Sequence, residues 1–379
     1  MKLNNNILEK LEYSKENCIG CNKCMEGCSM LNEFTNNPKD LLKNIINNKE
    51  INQIIPYSCT LCGYCGEVCP KGISLKDIFL DLRKYIVNED KKNLKKLNYR
   101  PIRFHQKNSF SKVFSTNIRG IKKSTKTVFF PGCSLTAYNP KIIIKAYNFL
   151  KEKMDIGIML NCCGNPTYSM GDVDKFNKYY NIVNNEFVKN GIEEVIVACE
   201  NCYKTIKENS KGLRVKTLWE VIDEIGLPTI IKGIGKDSSI VFSIHDPCAT
   251  RNEPKIHEAV RNIVKYLGFK IEEMEYSKEK TLCCGSGGMI RSTNKDISIT
   301  QMKRRANMAK TEYIISYCQE CVESMRKAGK KGIHIIDLIF NDNIYIDFDQ
   351  VNEGTLAKWI NRYRGKKIIE GVNENEERY

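Results

Sequence analysis

Cysteine is the residue type on which the chemistry of this chain rests, and all 18 cysteines fall into patterned groups. Two groups of four come first: Cys18, Cys21, Cys24, Cys28 and Cys59, Cys62, Cys65, Cys69. Two groups of five follow: Cys133, Cys162, Cys163, Cys199, Cys202 and Cys248, Cys283, Cys284, Cys318, Cys321. Clustered thiols in a chain with no signal-type N-terminus point to metal or redox work in a reducing compartment, not to disulfide staples. The partition predicts four metal clusters of two chemical kinds.

Each group of four reads C-x-x-C-x-x-C-x-x-x-C, and Pro70 follows the last cysteine of the second. The spacing is similar to the bacterial ferredoxin run, in which short spacers wrap backbone N–H groups around a cubane 4Fe–4S cluster. The fourth cysteine of such a run reaches across to the other cluster. One cluster is therefore expected on Cys18, Cys21, Cys24 and Cys69, and the other on Cys59, Cys62, Cys65 and Cys28. Zinc also takes four thiolates, but its sites usually separate two C-x-x-C pairs by a longer loop. Ser29 stands where a proline is usual. Two such clusters form a wire, which has no substrate of its own.

The groups of five share the pattern C…CCG…C-x-x-C. Five thiolates exceed the four of a structural zinc site, and adjacent cysteines suit a larger cluster better than one tetrahedral ion. Gly164 and Gly285 are expected to let backbone approach such a cluster closely. The loop Gly285–Ser286–Gly287–Gly288 is assigned the same purpose; it is not a phosphate loop, since no Gly-Lys-Ser/Thr follows. The motif pair resembles the CCG-domain family. The whole chain resembles the catalytic subunit of heterodisulfide reductase, in the form that fuses a ferredoxin module to two CCG domains. The resemblance implies two non-cubane 4Fe–4S clusters, one on Cys133, Cys162, Cys163, Cys199 and Cys202 and one on Cys248, Cys283, Cys284, Cys318 and Cys321. It also implies a small-molecule disulfide substrate, such as the coenzyme M–coenzyme B heterodisulfide, lying between them. The electron donor it implies is a membrane b-type cytochrome, a flavoprotein or a ferredoxin. Ala249–Thr250 departs from the Cys-His that often follows the second lobe's first cysteine. Relatives of similar layout pass electrons from a flavin-dependent dehydrogenase acting on glycerol-3-phosphate, glycolate or lactate. That is the alternative, and two complete cysteine sets favour the reductase.

The elements that must position these cysteines follow from periodicity. Residues 40–46 and Leu75 to Val87 carry apolar residues at helical spacing, so residues 1–90 read as an α-helical ferredoxin-type domain. From Thr127 the chain repeats itself. Strands 127–130 and 240–245 each run to a first cysteine, and strands 194–197 and 312–316 each run into a C-x-x-C. Matching cysteines of the two units are offset by 115, 121 and 119 residues, the drift expected of a duplicated domain with loop insertions. Helices are expected at Pro140 to Met154, Lys255 to Leu267 and Lys295 to Lys310. Alternating strands and helices imply two duplicated α/β lobes, residues 127–240 and 241–345, with ligands at the carboxyl ends of parallel strands. Residues 346–379 are expected as a C-terminal helix and an acidic tail.

The formal charge of +15 comes largely from residues 91–127, which hold 12 Lys or Arg and no acid. Residues 91–126 therefore read as a basic linker, solvated or docked on an acidic partner or an anionic membrane surface. No nucleic-acid reading element accompanies the charge. A cytoplasmic location follows, with any membrane contact made at its inner face through a partner. With only four histidines, His245 is the sole candidate near the chemistry for proton delivery. Lys204, Arg251 and Arg291 flank the cysteine loops and could meet an anionic group of a substrate.

Overall fold

The computed structural model describes residues 1–89, 91–345 and 348–374. The first 89 residues are built of helices and loops. The longer helices are Asn5–Asn17, Pro38–Asn48 and Leu75–Glu89. Two of the starts are chemically marked: the Asn4 side chain caps the first helix, and Asn37 caps the second with Pro38 in its first turn, where the missing N–H costs nothing. Their apolar faces meet through buried Leu11, Leu41, Leu42, Ile45, Phe79 and Leu82.

Two parallel four-stranded sheets follow. The first holds β1 (Thr127–Phe130), β2 (Ile156–Ile158), β3 (Glu194–Val197) and β4 (Arg214–Thr217) in the order β2-β1-β3-β4. The second holds β5 (Val241–His245), β6 (Lys270–Glu273), β7 (Tyr313–Ser316) and β8 (Lys331–His334) in the order β6-β5-β7-β8. The orders are identical, so the repeat in the sequence is a repeat in topology. The four strands legible in the sequence are the central ones, buried on both faces as parallel strands are. The four edge strands were not expected; they are short or polar, as in Lys270–Ile271–Glu272–Glu273, and give no alternating signal. The expected helices form as Pro140–Lys151, Pro254–Tyr266 and Lys295–Asn307.

The lobes share one continuous core. Helix Leu218–Ile225 of the first packs on helix Pro254–Tyr266 of the second, and the Trp219 ring lies 5.6 Å from His334. The half-buried Tyr138 hydroxyl donates to Asp337 at 2.8 Å across the same boundary. Burial raises the Asp337 carboxyl from 3.8 to about 6. The unfolded chain loses that proton at lower pH than the folded one, so stability falls as pH rises through this window, by roughly 3 kcal/mol in all. Asp337→Asn is expected to flatten the pH dependence of the unfolding midpoint between about pH 4 and pH 6; a midpoint that keeps its full slope would contradict this origin.

The stretch 91–126 does more than connect. Helix Arg100–Ser109 buries Ile102, Gln106 and Ser109. Farther on, Arg119 exchanges two backbone hydrogen bonds of 2.9 Å with Ile158. The Thr116 N–H donates to Leu160 O at 2.9 Å. These bonds cover the open edge of the sheet at β2, whose unpaired backbone would otherwise face water. Helix Thr355–Glu374 packs across Cys133–Tyr138 and Pro140–Lys151; the tail 375–379 lies outside the described residues.

The helical module does not hang from the lobes but is keyed into both. Arg83 is fully buried. Its guanidinium donates to Pro56 O at 2.9 Å and Cys59 O in its own module, to Ser169 O at 2.6 Å in the first lobe and to Gly288 O at 2.8 Å in the second. A Cβ on Gly287 would lie 2.3 Å from Thr60 O, and one on Gly288, whose φ is +59°, 2.5 Å from Cys59 O. The loop therefore has a second purpose: its last two glycines, which line the second lobe's cysteine cavity, also make room for the cysteine loop of the helical module.

Candidate metal centres

The four-cysteine groups gather around two small cavities. Cys18, Cys21, Cys24 and Cys69 line one, together with Cys65. Cys28, Cys59, Cys62 and Cys65 line another. Cys28 reaches the second because it caps helix Ser29–Phe34, its sulfur accepting from Leu31 N–H at 3.4 Å. Burial, followed by the neighbouring Cys65 and Cys18 sulfurs, pushes the Cys24 thiol up to about 12. Burial, then Cys62 and Cys59, lifts Cys28 well above the ordinary thiol value. Such packed thiols ionise only when a cation compensates them, so the donor set fits a metal centre that deprotonates its ligands on binding. Cys21 is exposed, which places the first of these cavities at the surface.

Three cysteines of each five-cysteine set follow the carboxyl ends of the central strands, and the adjacent pairs Cys162–Cys163 and Cys283–Cys284 follow the edge strands β2 and β6. All five of the first set, Cys133, Cys162, Cys163, Cys199 and Cys202, line a cavity of about 360 Å³. In the second set, Cys248, Cys284, Cys318 and Cys321 line a cavity of about 220 Å³. Cys283 turns toward the helical module and borders the cavity of Cys28, Cys59, Cys62 and Cys65. The two lobes repeat one electrostatic pattern. The second cysteine of each adjacent pair is held low by thiols that donate to it: Cys163 by Cys162 and then Cys202, Cys284 by Cys283 and then Cys321. The Cys202 and Cys321 thiols are driven up in return, first by that same contact and then by their C-x-x-C partners. Each lobe thus gathers sulfur donors around one favoured thiolate, a set suited to a cationic cluster.

Gly164 and Gly285 take part through their backbone. With φ of +83° and +89°, conformations that favour glycine, they turn their N–H groups onto sulfur: Gly164 onto Cys162 at 3.5 Å and Gly285 onto Cys283 at 3.3 Å. A Cβ on Gly285 would meet Ser298 O at 2.7 Å, so the glycine also lets helix Lys295–Asn307 pack close.

The cavities of the two five-cysteine sets adjoin and share walls. Asn165, Asn201, Ser286, Met289, Cys318 and Glu320 line both. Glu320, inside the second C-x-x-C, accepts from Ser134 of the first lobe at 3.2 Å and from Arg291 at 3.3 Å. Arg291 lines the larger cavity and Lys204 the smaller. Arg251 is buried, donating to Glu279 O, to Thr281 O at 2.7 Å and to Cys62 O at 3.3 Å, and it lines a further cavity beside Cys248. It brackets the helical module against the second lobe. His245 lies near the chemistry as expected, within 4.8 Å of the Cys284 and Cys321 sulfurs through one ring nitrogen. His105 and Gln106 were missed. They line or touch the first site from a stretch read as a linker, and nothing in their local sequence marks them. Glu320 was legible as a neighbour of two ligands.

Comparison with known proteins now has geometry to attach to. Residues 127–207 and 242–326 match the cysteine-rich domain called CCG, and residues 17–74 match a 4Fe-4S dicluster domain. The chain thus carries two CCG cysteine-rich domains behind a 4Fe-4S dicluster domain. It is similar to an uncharacterised iron–sulfur protein of Methanocaldococcus jannaschii, at 29% identity over 73% of this chain and 58% of the relative. It is also similar to one of the subunits of the fumarate reductase (CoM/CoB) of Methanothermobacter marburgensis, at 24% identity over 85% and 70%. A third relative is one of the subunits of the dihydromethanophenazine:CoB–CoM heterodisulfide reductase of Methanosarcina barkeri, at 26% identity over 75% and 76%. The matches thus span between 58% and 76% of these relatives' own length. The domain matches mark the chain as an iron–sulfur oxidoreductase, and the fumarate reductase and heterodisulfide reductase relatives are subunits of redox enzymes. No helix among the described residues is long and apolar enough to cross a membrane.

Proposed function

We propose that the chain reduces a small-molecule disulfide, using two cubane 4Fe–4S clusters on the four-cysteine sets and two non-cubane 4Fe–4S clusters on the five-cysteine sets. The observation that supports this reading is that two adjoining cavities share walls at the lobe boundary, one lined by all five cysteines of the first set and the other by four of the second. A disulfide in the shared space presents one sulfur to each lobe, which gives a duplicated lobe its use. Bound clusters would supply single electrons and iron sites for sulfur. The balance is RSSR′ + 2e⁻ + 2H⁺ → RSH + R′SH, with the electrons coming from a redox partner.

The protein's own groups define the rest. Ser134, Glu320 and Arg291 form a polar bridge between the lobes, so the two halves of the site keep one spacing. Pro101, Ile102, Leu135 and Met289 supply apolar wall to the larger cavity. Lys204, whose ammonium lies 4.0 Å from Glu208, offers a charge to an anionic arm of the substrate. The contact between Cys62 and Cys283 favours delivery of electrons from the second four-cysteine centre into the second lobe, with the surface centre at Cys21 as the point where they enter.

Anaerobically prepared protein is to be mixed with reduced viologen and the coenzyme M–coenzyme B heterodisulfide. Two thiols released per two electrons support the proposal. Reduction of the clusters only by a flavoprotein with its hydroxy-acid substrate, without thiol release, would overturn it in favour of an electron-transfer role.

A further inference from the structure

The two five-cysteine sites are alike in sulfur and unlike in what surrounds the sulfur. In the first lobe Gln106, which is fully buried, faces Cys162, while its neighbour His105 bonds to Cys133. The Gln106 Nε2 lies 3.2 Å from Cys162 Sγ. The Thr167 hydroxyl donates to its Oε1 at 2.9 Å, on the side of the amide away from the sulfur.

In the second lobe the group is His245, at the end of β5 and fully buried. Arg305 Nε donates to its Nδ1 at 3.0 Å, and Arg305 is itself held by Glu275 O at 2.8 Å and Tyr276 O at 3.1 Å. A guanidinium has donors and no acceptor, so Nδ1 must accept and the ring proton must sit on Nε2. That Nε2 is buried without a hydrogen-bond partner among the described residues. The imidazole stands within 4.8 Å of the Cys284 and Cys321 sulfurs. A protonated Nε2 has no lone pair for iron, so the ring is placed as a donor to sulfur and not as a ligand. The corresponding end of β1 carries Phe130, which has no donor. The second lobe in turn has no counterpart of Gln106 among the described residues, since that glutamine comes from the stretch ahead of the first lobe.

We propose that Gln106 and His245 are positioning residues that donate N–H to Cys162 and Cys284, and that each raises the reduction potential of its own lobe's centre independently of the other. The inference rests on the reading that the five-cysteine sets hold iron–sulfur clusters. An N–H directed at a ligand sulfur stabilises the more negative, reduced cluster. Duplicated lobes can thereby hold two different potentials on the same cysteine pattern.

The test is a redox titration of the full chain followed by electron paramagnetic resonance, with iron measured on the same samples. Gln106→Met is expected to lower one midpoint by about 59 mV, a tenfold change in the oxidised-to-reduced ratio of a one-electron centre. His245→Phe, which places the first lobe's residue in the second, is expected to lower a different midpoint by a similar factor. His245→Gln is expected to restore it through an amide N–H. Midpoints that stay put at full iron content would overturn the proposal, as would both variants moving the same centre. Loss of iron on His245→Phe would make the imidazole a ligand and overturn it too. An iron content near half the expected value in the unsubstituted chain would instead defeat the underlying reading of the five-cysteine sets.

Discussion

Arg83→Leu is expected to detach the helical module from the lobes. The guanidinium satisfies four carbonyls drawn from three parts of the chain, Pro56 and Cys59, Ser169, and Gly288. Leucine matches part of the volume and none of the donors. Each buried carbonyl left unpaired costs about 1–3 kcal/mol, and some of these retain other partners, so a loss of roughly 4 kcal/mol is expected. The Tyr57 hydroxyl, which donates to Met170 O at 2.8 Å, packs under the same guanidinium and would lose its support. Arg83→Lys is expected to rescue little, because a single ammonium cannot span the fork. Anaerobic denaturant unfolding would show an early transition confined to the helical module, ahead of the lobes. A variant that unfolds at the unsubstituted midpoint in a single step would contradict this role.

The second expectation concerns the two lobes as one reaction site. Cys163→Ser and Cys284→Ser each remove the favoured thiolate of one lobe. If a disulfide must engage both lobes at once, either substitution alone stops thiol release, by on the order of a thousandfold, and the double variant is no worse than either single one. Groups that act as a unit show this non-additivity. The signals of the four-cysteine centres are expected to persist, since their cavities are lined by other residues. Steady-state thiol release by the three variants is the measurement. Substantial turnover in one single variant would assign the chemistry to one lobe and refute the two-sided site.

What the sequence made legible, and what it hid, has a physical pattern. The cysteine groups could be read because spacing alone constrains a thiolate cluster, and Cys28 and Cys69 each line the cavity beside the other group's cysteines. The central strands were legible because parallel strands buried on both faces are continuous apolar runs, as in Val128–Phe129–Phe130. The edge strands were not, because Lys270–Glu273 and Arg214–Thr217 are polar wherever they meet solvent. The stretch 91–126 was read by its charge, yet its few apolar and amide residues, Ile102, Gln106 and Ile118, point inward and do the packing. Arg83 and Arg251 were hidden for a related reason: an arginine that satisfies carbonyls scattered over the chain leaves no pattern around itself.

The central claim is that ten cysteines build two further clusters beyond the two that eight cysteines build. Iron, acid-labile sulfide and zinc per chain, measured on protein prepared and kept without oxygen, test it most directly. Four 4Fe–4S clusters predict about sixteen irons and as many sulfides, with zinc near zero. About eight irons, with zinc or free thiols accounting for Cys133 to Cys321, would contradict it.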